Sequence, residues 1–596
     1  MGLMDRAYET YVNHKDFIGK IEEGKTPLLP VAHMLQNIQL EITLDINGKF
    51  ITAIQVDKED NKSLIPVTIR SSNRSGTKVA LTPHPLCDKV QYVKKANNEC
   101  YESYIKQLGE WVNSEYSNAR LKAIHKYVKG GTIEDDLKKN GIKFKDSDTV
   151  RWRVLGESPS REDACWQSTE MFESWQKYYF SIMNGKKDLC MLSGKESVIA
   201  ENHPKGIVAK DYNAKLISSN DNKNFTYRGR FIDASQALTI GYEASQYAHN
   251  ALIWLCSNQS VSFIVGGRTF ICWNPAGYKV PNVWENLFDV DKDNEIKITP
   301  SNYKKHLYKV LSGYEKCLPL NADVVLAGFD AITKGRLSLT YYSELKGVDF
   351  LKRVEYWYES CSWYNYKYEV QSPNINDIVK CAYGVYSSKD DRTIINEKIH
   401  REQFQRILKC VTENAVIPYD LVKMLVNKVS RPQSYKKDSI AYKKLIFIAC
   451  ALVRKYYNDK SQKEEWKLNL EPNKKDRSYQ FGRLLAVMEK VETDTYDLNV
   501  KREANAIRLQ SAFCERPWHY TNIIHQKLAP YFARHKQNAR RYFKKLIGEI
   551  MEELSAYPDN ELDKRLADTY ILGYYLQRNE LYRKHVKNDA AEEVEE

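Results

Sequence analysis

The chain has 596 residues, a formal net charge of +13 and a pI near 8.9. One hydrophobic core rarely serves such a length, so roughly two to four domains are expected. The charge favours an acidic partner, most commonly nucleic acid, although abundant Lys and Asn are also typical of AT-rich genomes.

The sequence gives no indication of a metal site, a cofactor or a membrane. Its 12 cysteines form no CxxC pair, which argues against structural zinc. The longest apolar run, Leu445 to Val453, is shorter than the ~20 residues of a membrane span. No secretion signal is visible, so we expect a cytoplasmic protein with reduced thiols and no cofactor.

The N-terminal part alternates between strand and helix patterns. Alternating apolar residues on either side of Asn47-Gly48 predict a β-hairpin. Helices are predicted at 94–127 and at 160–183. The second has four aromatic residues near helical spacing, which predicts a core-facing stripe: Trp166, Phe172, Trp175 and Tyr179.

A second β-rich block begins near Leu189, and a helix is predicted from Ser235 to about Cys256. Further hairpins are predicted around Gly266-Gly267 and within 324–342. After Phe350 the helical pattern dominates. The predicted fold class is therefore α+β, with a mixed β-hairpin and helix N-terminal two-thirds followed by a mainly helical C-terminal region.

The predicted domain boundaries follow these changes of pattern. An α+β region covers 1–350, with a break between two subdomains near 130–190. A helical middle region and linker cover 351–470, and the polar stretch 458–477 is the best linker candidate. A helical C-terminal domain covers 471–586, and the acidic tail 587–596 is predicted to be disordered.

The segment Ile69 to Val93 contains a polar loop that is suited to an anion. Ser, Asn and Gly favour turn geometry, so the cations Arg74 and Lys78 are predicted to project from a loop. Such a loop suits phosphate, and Asn or Arg can also hydrogen-bond base edges in a groove. A solvated connector is the alternative.

A cationic face is predicted on a helix within 522–554. Lys536, Arg540 and Lys544 recur every four residues, and Arg541 and Lys545 widen the face. The opposite face is apolar, with Phe543, Ile547, Ile550, Met551 and Leu554. A solvated helix surface is the alternative, but adjacent cations repel one another by roughly a few tenths of a kcal/mol per pair, which favours a phosphate strand.

Catalytic signatures are absent from the sequence. The stretch SGKES at 193–197 lacks the first glycine and the Ser or Thr of a P-loop, and no HExxH, GxSxG or GxGxxG occurs. We therefore expect a protein without catalytic activity. Two alternatives remain open: a nuclease whose site is assembled from scattered residues, and a protein-only assembly platform whose cations face acidic partners.

Ordered blocks along the chain resemble a known family. They are LLPVAHMLQNIQLEITLD, HPLCDKVQYV, CMLSGKESVIAENHPKGI, GRTFICWNP, DFLKRVEYWYESCSW, VIPYDLVKMLVNKVSRP, FIACALVRK, FGRLLAVMEK and ILGYYLQRNELYRK. Together they resemble the large subunit of the type I-C CRISPR Cascade, from about Leu28 to Lys584. The family usually has a His where this chain has Tyr358, a change to which we attach no functional weight.

The resemblance implies a non-catalytic subunit of a crRNA-guided DNA surveillance complex in antiviral defence. Such a subunit would recognise a protospacer-adjacent motif, help to open duplex DNA into an R-loop and recruit a separate helicase-nuclease. Its implied partners are target DNA, crRNA, the Cascade backbone and crRNA-processing subunits, and a separately translated small subunit. Guide pairing would supply most of the sequence choice.

The resemblance also makes polar residues of the N-terminal part candidates for binding duplex DNA. Asn73 is assigned to a base edge, and Arg74, Lys78 and Lys89 to phosphates. Ser72, Gln36 and Asn37 complete the set, in a region that also contains Leu29 and Gln39. The cations at 536, 540, 541, 544 and 545 are assigned to a single-strand backbone.

The C-terminal part resembles a small subunit that the family can also make from an internal start. The methionine in the expected region, Met488, would remove the front of a helix. A start at Leu468 or Leu470 in the linker is predicted instead.

Overall fold

The structure is a computed structural model that describes residues 2–22, 25–74, 82–208, 213–218, 231–232, 236, 238–285, 287, 299–333, 335–461, 465–497 and 502–592. It has two compact units. The first unit contains Met1–Ile264, Arg268–Tyr278 and Asp323–Glu344, and the second contains Val265–Gly267, Lys279–Ala322 and Leu345–Glu596. Within the described ranges, no helix is long and apolar enough to cross a bilayer.

The strands are short and form several small sheets. They are β1 His33–Asn37, β2 Leu40–Asp45, β3 Phe50–Gln55, β4 Lys62–Pro66, β5 Val150–Leu155, β6 Lys187–Leu189, β7 Glu196–Val198, β8 Ser262–Val265, β9 Arg268–Trp273, β10 Asp323–Thr333, β11 Arg336–Lys346, β12 Trp363–Tyr364, β13 Val370–Gln371, β14 Val385–Ser387 and β15 Arg392–Ile394.

The helices become dominant after residue 347, which confirms the α+β prediction. They are α1 Leu3–Asn13, α2 Val90–Val93, α3 Glu99–Val112, α4 Ala119–Gly130, α5 Ile133–Lys139, α6 Thr169–Ile182, α7 Tyr242–Ser257, α8 Pro300–Cys317, α9 Gly347–Ser360, α10 Ile375–Tyr383, α11 Glu397–Thr412, α12 Tyr419–Val429, α13 Ile440–Lys460, α14 Arg477–Thr493, α15 Asn505–Arg508, α16 Gln510–Glu515, α17 Pro517–Arg534, α18 Gln537–Ser555, α19 Asp559–Leu562 and α20 Tyr570–Glu592.

The first unit is built on a three-stranded mixed sheet in the order β3-β2-β5. β2 and β3 form the hairpin predicted around Asn47-Gly48, and Gly48 takes the left-handed conformation with φ of 79°. β5 pairs in parallel with β2, with Leu40 opposite Val150. A separate antiparallel pair joins β1 to β4. The other two predicted hairpins form a second sheet in the order β11-β10-β9-β8.

Two predicted helices have different bounds in the structure. The helix expected over 94–127 is interrupted, because Asn118 accepts a hydrogen bond from the Leu121 amide and starts α4 as a new helix. The helix expected from Ser160 begins at Thr169, where the Ser168 hydroxyl caps it. Of the helix predicted from Ser235, Tyr242–Ser257 is helical and Ser235 lies outside the described residues.

The predicted aromatic stripe is part of the core of the first unit. Phe172, Trp175 and Tyr179 lie on α6 and are buried. Trp166 is also buried but precedes the helix, and the Arg151 guanidinium lies 3.8 Å from the centroid of its ring. The stripe is therefore structural, as the pattern predicted.

In the second unit, α14 is the central helix, and every residue from Ser478 to Glu492 is buried. α20 crosses α14 at a point where each helix has a glycine that faces the backbone of the other helix. A Cβ added at Gly482 would overlap the Tyr570 carbonyl oxygen, and one added at Gly573 would overlap that of Tyr479. Glycine therefore permits this close helix crossing. α20 extends to Glu592 and includes the start of the tail that was predicted to be disordered.

The linker predicted at 458–477 joins the end of α13 to the start of α14 and is anchored at Trp466. Trp466 is buried, and its carbonyl oxygen accepts a hydrogen bond from Arg454 Nε at 2.8 Å. The same guanidinium donates to the carbonyl oxygens of Glu359, Ser360 and Ser362. Arg454 therefore fixes the path of the linker through main-chain atoms.

Candidate nucleic-acid interface

The first unit has a cleft of about 520 Å³. Its walls come from β1, the loop after β4, the segment 202–207 and α7. The lining combines apolar side chains such as Met34, Leu35 and Ile253 with side chains that can hydrogen-bond to a ligand. The second group includes Gln36, Asn37, Ser72, Asn73, Asn202, His203, Lys205, Gln246 and Asn250.

The cleft brings together Gln36, Asn37, Ser72 and Asn73, which the sequence assigned to duplex binding. Among the described residues, the side chains of Gln36 and Asn37 have no hydrogen-bond partner. Asn73 donates from Nδ2 to the Ile69 carbonyl oxygen at 2.9 Å, and its Oδ1 accepts from no described donor. These amide groups can therefore accept or donate hydrogen bonds to a ligand.

Several hydrogen bonds hold the backbone of the segment from Thr68 to Asn73. Ser71 Oγ accepts from the Thr68 amide at 2.9 Å, and Thr68 Oγ1 accepts from the Ser71 amide at 3.0 Å. The buried Tyr179 hydroxyl accepts from the Ile69 amide at 2.9 Å. Ser71 to Asn73 form one turn of 3₁₀ helix, so the side chain of Asn73 starts from a fixed backbone.

Arg74 does not line the cleft but forms a two-point ion pair with Asp88, with N–O distances of 2.9 and 2.8 Å. Asp88 is fully buried and also accepts from the backbone amides of His84 and Lys89. Burial opposes the charge of Arg74, but the bonds to Asp88 outweigh it and raise the pKa of the guanidinium. This geometry favours an anchoring role, and the assignment of Arg74 to phosphate stays a prediction.

Two candidates for duplex binding remain in the N-terminal set, Lys89 and Lys78. Lys89 is half-buried at the start of α2, outside the lining of the cleft. Lys78 lies outside the described residues.

Sequence reasoning missed the far wall of the cleft. Asn202, Lys205, Gln246 and Asn250 line it with His203. Three of these residues fall within the family-like block CMLSGKESVIAENHPKGI, which is the signal that pointed to the segment. Gln246 and Asn250 are four residues apart on one face of α7, and only the tertiary fold brings them to the cleft.

Two buried histidines, His203 in the cleft lining and His249 on α7, are neutral near pH 7. Burial lowers the pKa of His203 to about 3 and that of His249 to about 4. His203 Nδ1 lies 2.8 Å from the Ser245 hydroxyl, and His249 Nδ1 lies 2.7 Å from the Ser245 carbonyl oxygen. The lining therefore contains amide and hydroxyl groups with Lys205 as its cation. Such a lining suits base edges better than a run of phosphates.

The predicted C-terminal cations lie at the junction of α17 and α18. Arg540 donates to the carbonyl oxygens of Phe532 and Ala533 and so caps the end of α17. Arg541, Lys544 and Lys545 are exposed on α18, and Lys536 precedes that helix. Phe543, Ile550 and Leu554 are buried on the opposite face, as predicted.

Two cavities of about 620 Å³ each flank this junction, one lined by Lys536 and Tyr542 and the other by Arg540 and Lys544. Together with the exposed cations, they give α18 a surface that can hold an anionic strand. The assignment of these cations to a single-strand backbone stays a prediction.

The described ranges contain no group of three or more His, Cys, Asp or Glu side chains arranged to hold a metal ion. The cleft offers groups for hydrogen bonding, and the exposed cations of α18 offer electrostatic attraction.

Comparison with known proteins assigns the chain to a family. A family model described as "CRISPR-associated protein (Cas_Csd1)" matches residues 8–582. This match defines the class as a CRISPR-associated subunit of Cascade type. The chain belongs to the Csd1 family, the family of type I-C large subunits. No curated protein matches the chain.

Proposed function

We propose that this large subunit uses the cleft to read the protospacer-adjacent motif of target DNA. Binding at the cleft would begin strand separation, and guide pairing would extend it into an R-loop. The subunit would then recruit a separate helicase-nuclease in antiviral defence. This proposal gives the cleft the only sequence-reading role that the protein itself performs.

The observation that carries the proposal is the convergence of Gln36, Asn37 and Asn73 on one cleft. Their amides are the groups that hydrogen-bond base edges, and β1 and the 3₁₀ turn hold them on fixed backbone. A solvated connector would not require these backbone hydrogen bonds. The convergence therefore supports base reading over a passive surface role.

We further propose that the subunit has no catalytic activity of its own. It would act with crRNA, the backbone and crRNA-processing subunits and a separately translated small subunit. Cleavage of DNA by the isolated chain that EDTA abolishes would contradict this part of the proposal and would favour a nuclease.

Variants of the cleft test motif reading directly. We expect Gln36→Ala and Asn73→Ala, each in the complete guide-loaded complex, to reduce the preference for a matched motif over a mutated motif by about 1–3 kcal/mol per lost bidentate contact. The measurement is equilibrium binding to two duplexes that differ only in the motif. Both side chains are at least partly exposed, so the fold should be retained.

The matched control for the cleft is Asn97→Ala, which removes an exposed amide of the first unit that is not part of the cleft lining. It should keep the wild-type preference. Cleft variants with the same preference as the wild type, in complexes of normal composition, would show that the motif is read elsewhere.

The cations of α18 should act without sequence preference. We expect the triple variant Arg541→Ala, Lys544→Ala and Lys545→Ala to weaken binding of an opened target. The slope of log affinity against log salt concentration should fall by about 0.7 for each lost single-strand phosphate contact. Motif preference should not change, because phosphate contacts position the strand without specifying its sequence.

The charge-matched control removes three exposed lysines of α4, Lys122, Lys126 and Lys129. If both triple variants lower the slope equally, net charge accounts for the effect and the assignment of α18 to a strand is wrong.

A further inference from the structure

One of the two cavities at the junction of α17 and α18 is an open groove of about 620 Å³ between these helices. Its lining includes the apolar side chains of Phe532 and Ile547 and the cations Arg540 and Lys544. Nothing lies within 4 Å of a Cβ added at Gly548, so the groove has room for further side chains. An apolar surface beside positive charge suits an acidic amphipathic segment.

The positive charge beside the groove is poorly balanced by carboxylates. Arg541 and Lys544 are exposed and form no ion pair with a described residue. Lys545 lies 3.8 Å from Glu549, but 76% of its side chain is exposed, so this pair is weak. The spacing of the three cations puts them on one side of α18, where like charges repel. An anion held at the groove would relieve this repulsion.

The end of α20 lies next to the same junction. Leu581 is buried and lines the other cavity, together with Arg534 and Lys536. Lys490 of α14 also lines that cavity, and its Nζ lies 4.1 Å from the centroid of the Tyr582 ring. The residues after Tyr582 therefore start from a fixed point beside the junction.

The residues that follow have an acidic, amphipathic pattern. Val586, Ala590 and Val594 recur every four residues, a spacing that puts small apolar side chains on one side of a helix. The spacing of four carboxylates puts them on a neighbouring side: Asp589, Glu592, Glu593 and Glu596. We call residues 586–596 the acidic segment. It pairs small apolar groups with negative charge, as the groove pairs an apolar lining with positive charge.

The acidic segment can reach the groove from the end of α20. Ala533 lines the groove and Arg534 lines the cavity that contains Leu581, so the two cavities flank the same turn of chain. The chain from Tyr582 to Val586 spans up to about 13 Å when extended. An α-helix is about 10–12 Å wide, so a chain that leaves α20 after Tyr582 can pass the junction. Leaving the helix there costs little, because helix ends fray.

We propose that the acidic segment docks in the groove of its own chain and competes there with a nucleic-acid strand. Its small apolar side chains pack on the groove lining, and its carboxylates face Arg541 and Lys544. This inference rests on the proposed strand-binding role of α18 and adds a regulation of that site. A strand held by guide pairing displaces the segment, whereas a strand met by chance does not.

The tether favours this occupant over a separate acidic partner. A segment that starts beside the groove has an effective concentration in roughly the millimolar range. Each of its ion pairs is exposed and weak, so a strand that offers many phosphates can still replace it. The docked segment therefore lowers affinity for short contacts more than for extended ones.

Neutralising the segment tests the competition. In the complete guide-loaded complex without target, we expect the triple variant Asp589→Asn, Glu592→Gln and Glu593→Gln to bind a single-stranded oligo(dT) about three- to tenfold more tightly at low salt. The gain should shrink as salt rises, because exposed charges are screened. An unchanged affinity would overturn the proposal.

The gain should also require the cations of α18. In a chain that already carries the α18 triple variant described above, neutralising the segment should change the affinity no further. The charge-matched control neutralises three exposed carboxylates elsewhere in the second unit, with Asp349→Asn, Glu465→Gln and Asp559→Asn. An equal gain in this control would assign the effect to net charge and contradict docking.

A second test uses the full chain without nucleic acid. Zero-length carbodiimide coupling should join Lys544 to a carboxylate of the acidic segment within one molecule, and peptide mass spectrometry identifies the linked residues. Gly548→Leu should prevent this cross-link, because the larger side chain fills the groove. Absence of the cross-link in the unmodified chain would refute docking. A cross-link only between two molecules would also refute it and would identify a second copy as the occupant.

The two tests separate this inference from strand binding by α18. If the α18 triple variant loses strand affinity while no cross-link forms and the segment variant gains nothing, strand binding stands and the segment has no role. If the cross-link forms within one molecule while the α18 triple variant binds the strand normally, the segment docks and the strand assignment fails.

Discussion

Replacing Arg74 by alanine is expected to destabilise the first unit by about 3–5 kcal/mol. The change leaves the Asp88 carboxylate buried without its cation, and an uncompensated buried charge is strongly destabilising. The loop that carries Asn73 should loosen as a result. Hydrogen–deuterium exchange of the full chain should show loss of protection at the His84 and Lys89 amides, which donate to Asp88.

Arg70→Ala is the control, because Arg70 is an exposed arginine of the same loop. It should leave protection unchanged. The phosphate role assigned from the sequence predicts a different result for Arg74→Ala: normal protection, with a salt slope for duplex binding that falls by about 1. That pair of observations would contradict the anchoring role.

Replacing Gly573 by alanine is expected to disrupt the crossing of α14 and α20. The added methyl group would overlap the Tyr479 carbonyl oxygen, and a backbone atom cannot move aside as a flexible side chain can. Overpacking of a tight core typically costs about 1–3 kcal/mol, and displacement of a central helix favours the upper end of that range. The midpoint of thermal unfolding of the second unit should fall, and amides of α14 should exchange faster.

Gly548→Ala on α18 is the matched control, because nothing lies within 4 Å of a Cβ added there. This change should be neutral or stabilise the helix by up to about 1 kcal/mol, because alanine favours helix more than glycine does. Equal stability of the Gly573 and Gly548 variants would show that the crossing is looser than the structure indicates.

Local signals predicted the parts of the fold that depend on neighbouring residues. Asn47-Gly48 marked the β2–β3 hairpin because its tight turn needs a residue that tolerates positive φ, which is Gly48. The break after α3 was missed although it falls in the polar stretch 113–118, where the Asn118 side chain caps α4. Apolar periodicity predicts which face is buried better than it predicts where a helix begins.

The residues on one wall of the cleft were predicted from the sequence. Asn73 and Gln36 were singled out as polar residues of the N-terminal part. Their convergence depends on the pairing of β1 with β4, because the loop that carries Asn73 follows β4. Arg74 was assigned to phosphate as a cation of a polar loop, and its carboxylate partner Asp88 lies fourteen positions further along the chain. No local pattern shows that Asp88 would be buried beneath it.

The Arg454 guanidinium has a consequence for how freely the linker sequence can vary. Its bonds to the linker and to the 359–362 segment end mainly on carbonyl oxygens, which every amino acid supplies. Side chains next to Trp466 can therefore change without moving the main chain. If translation of a small subunit starts at Leu468 or Leu470, this arrangement lets the gene keep an initiation signal there while the long protein keeps its shape.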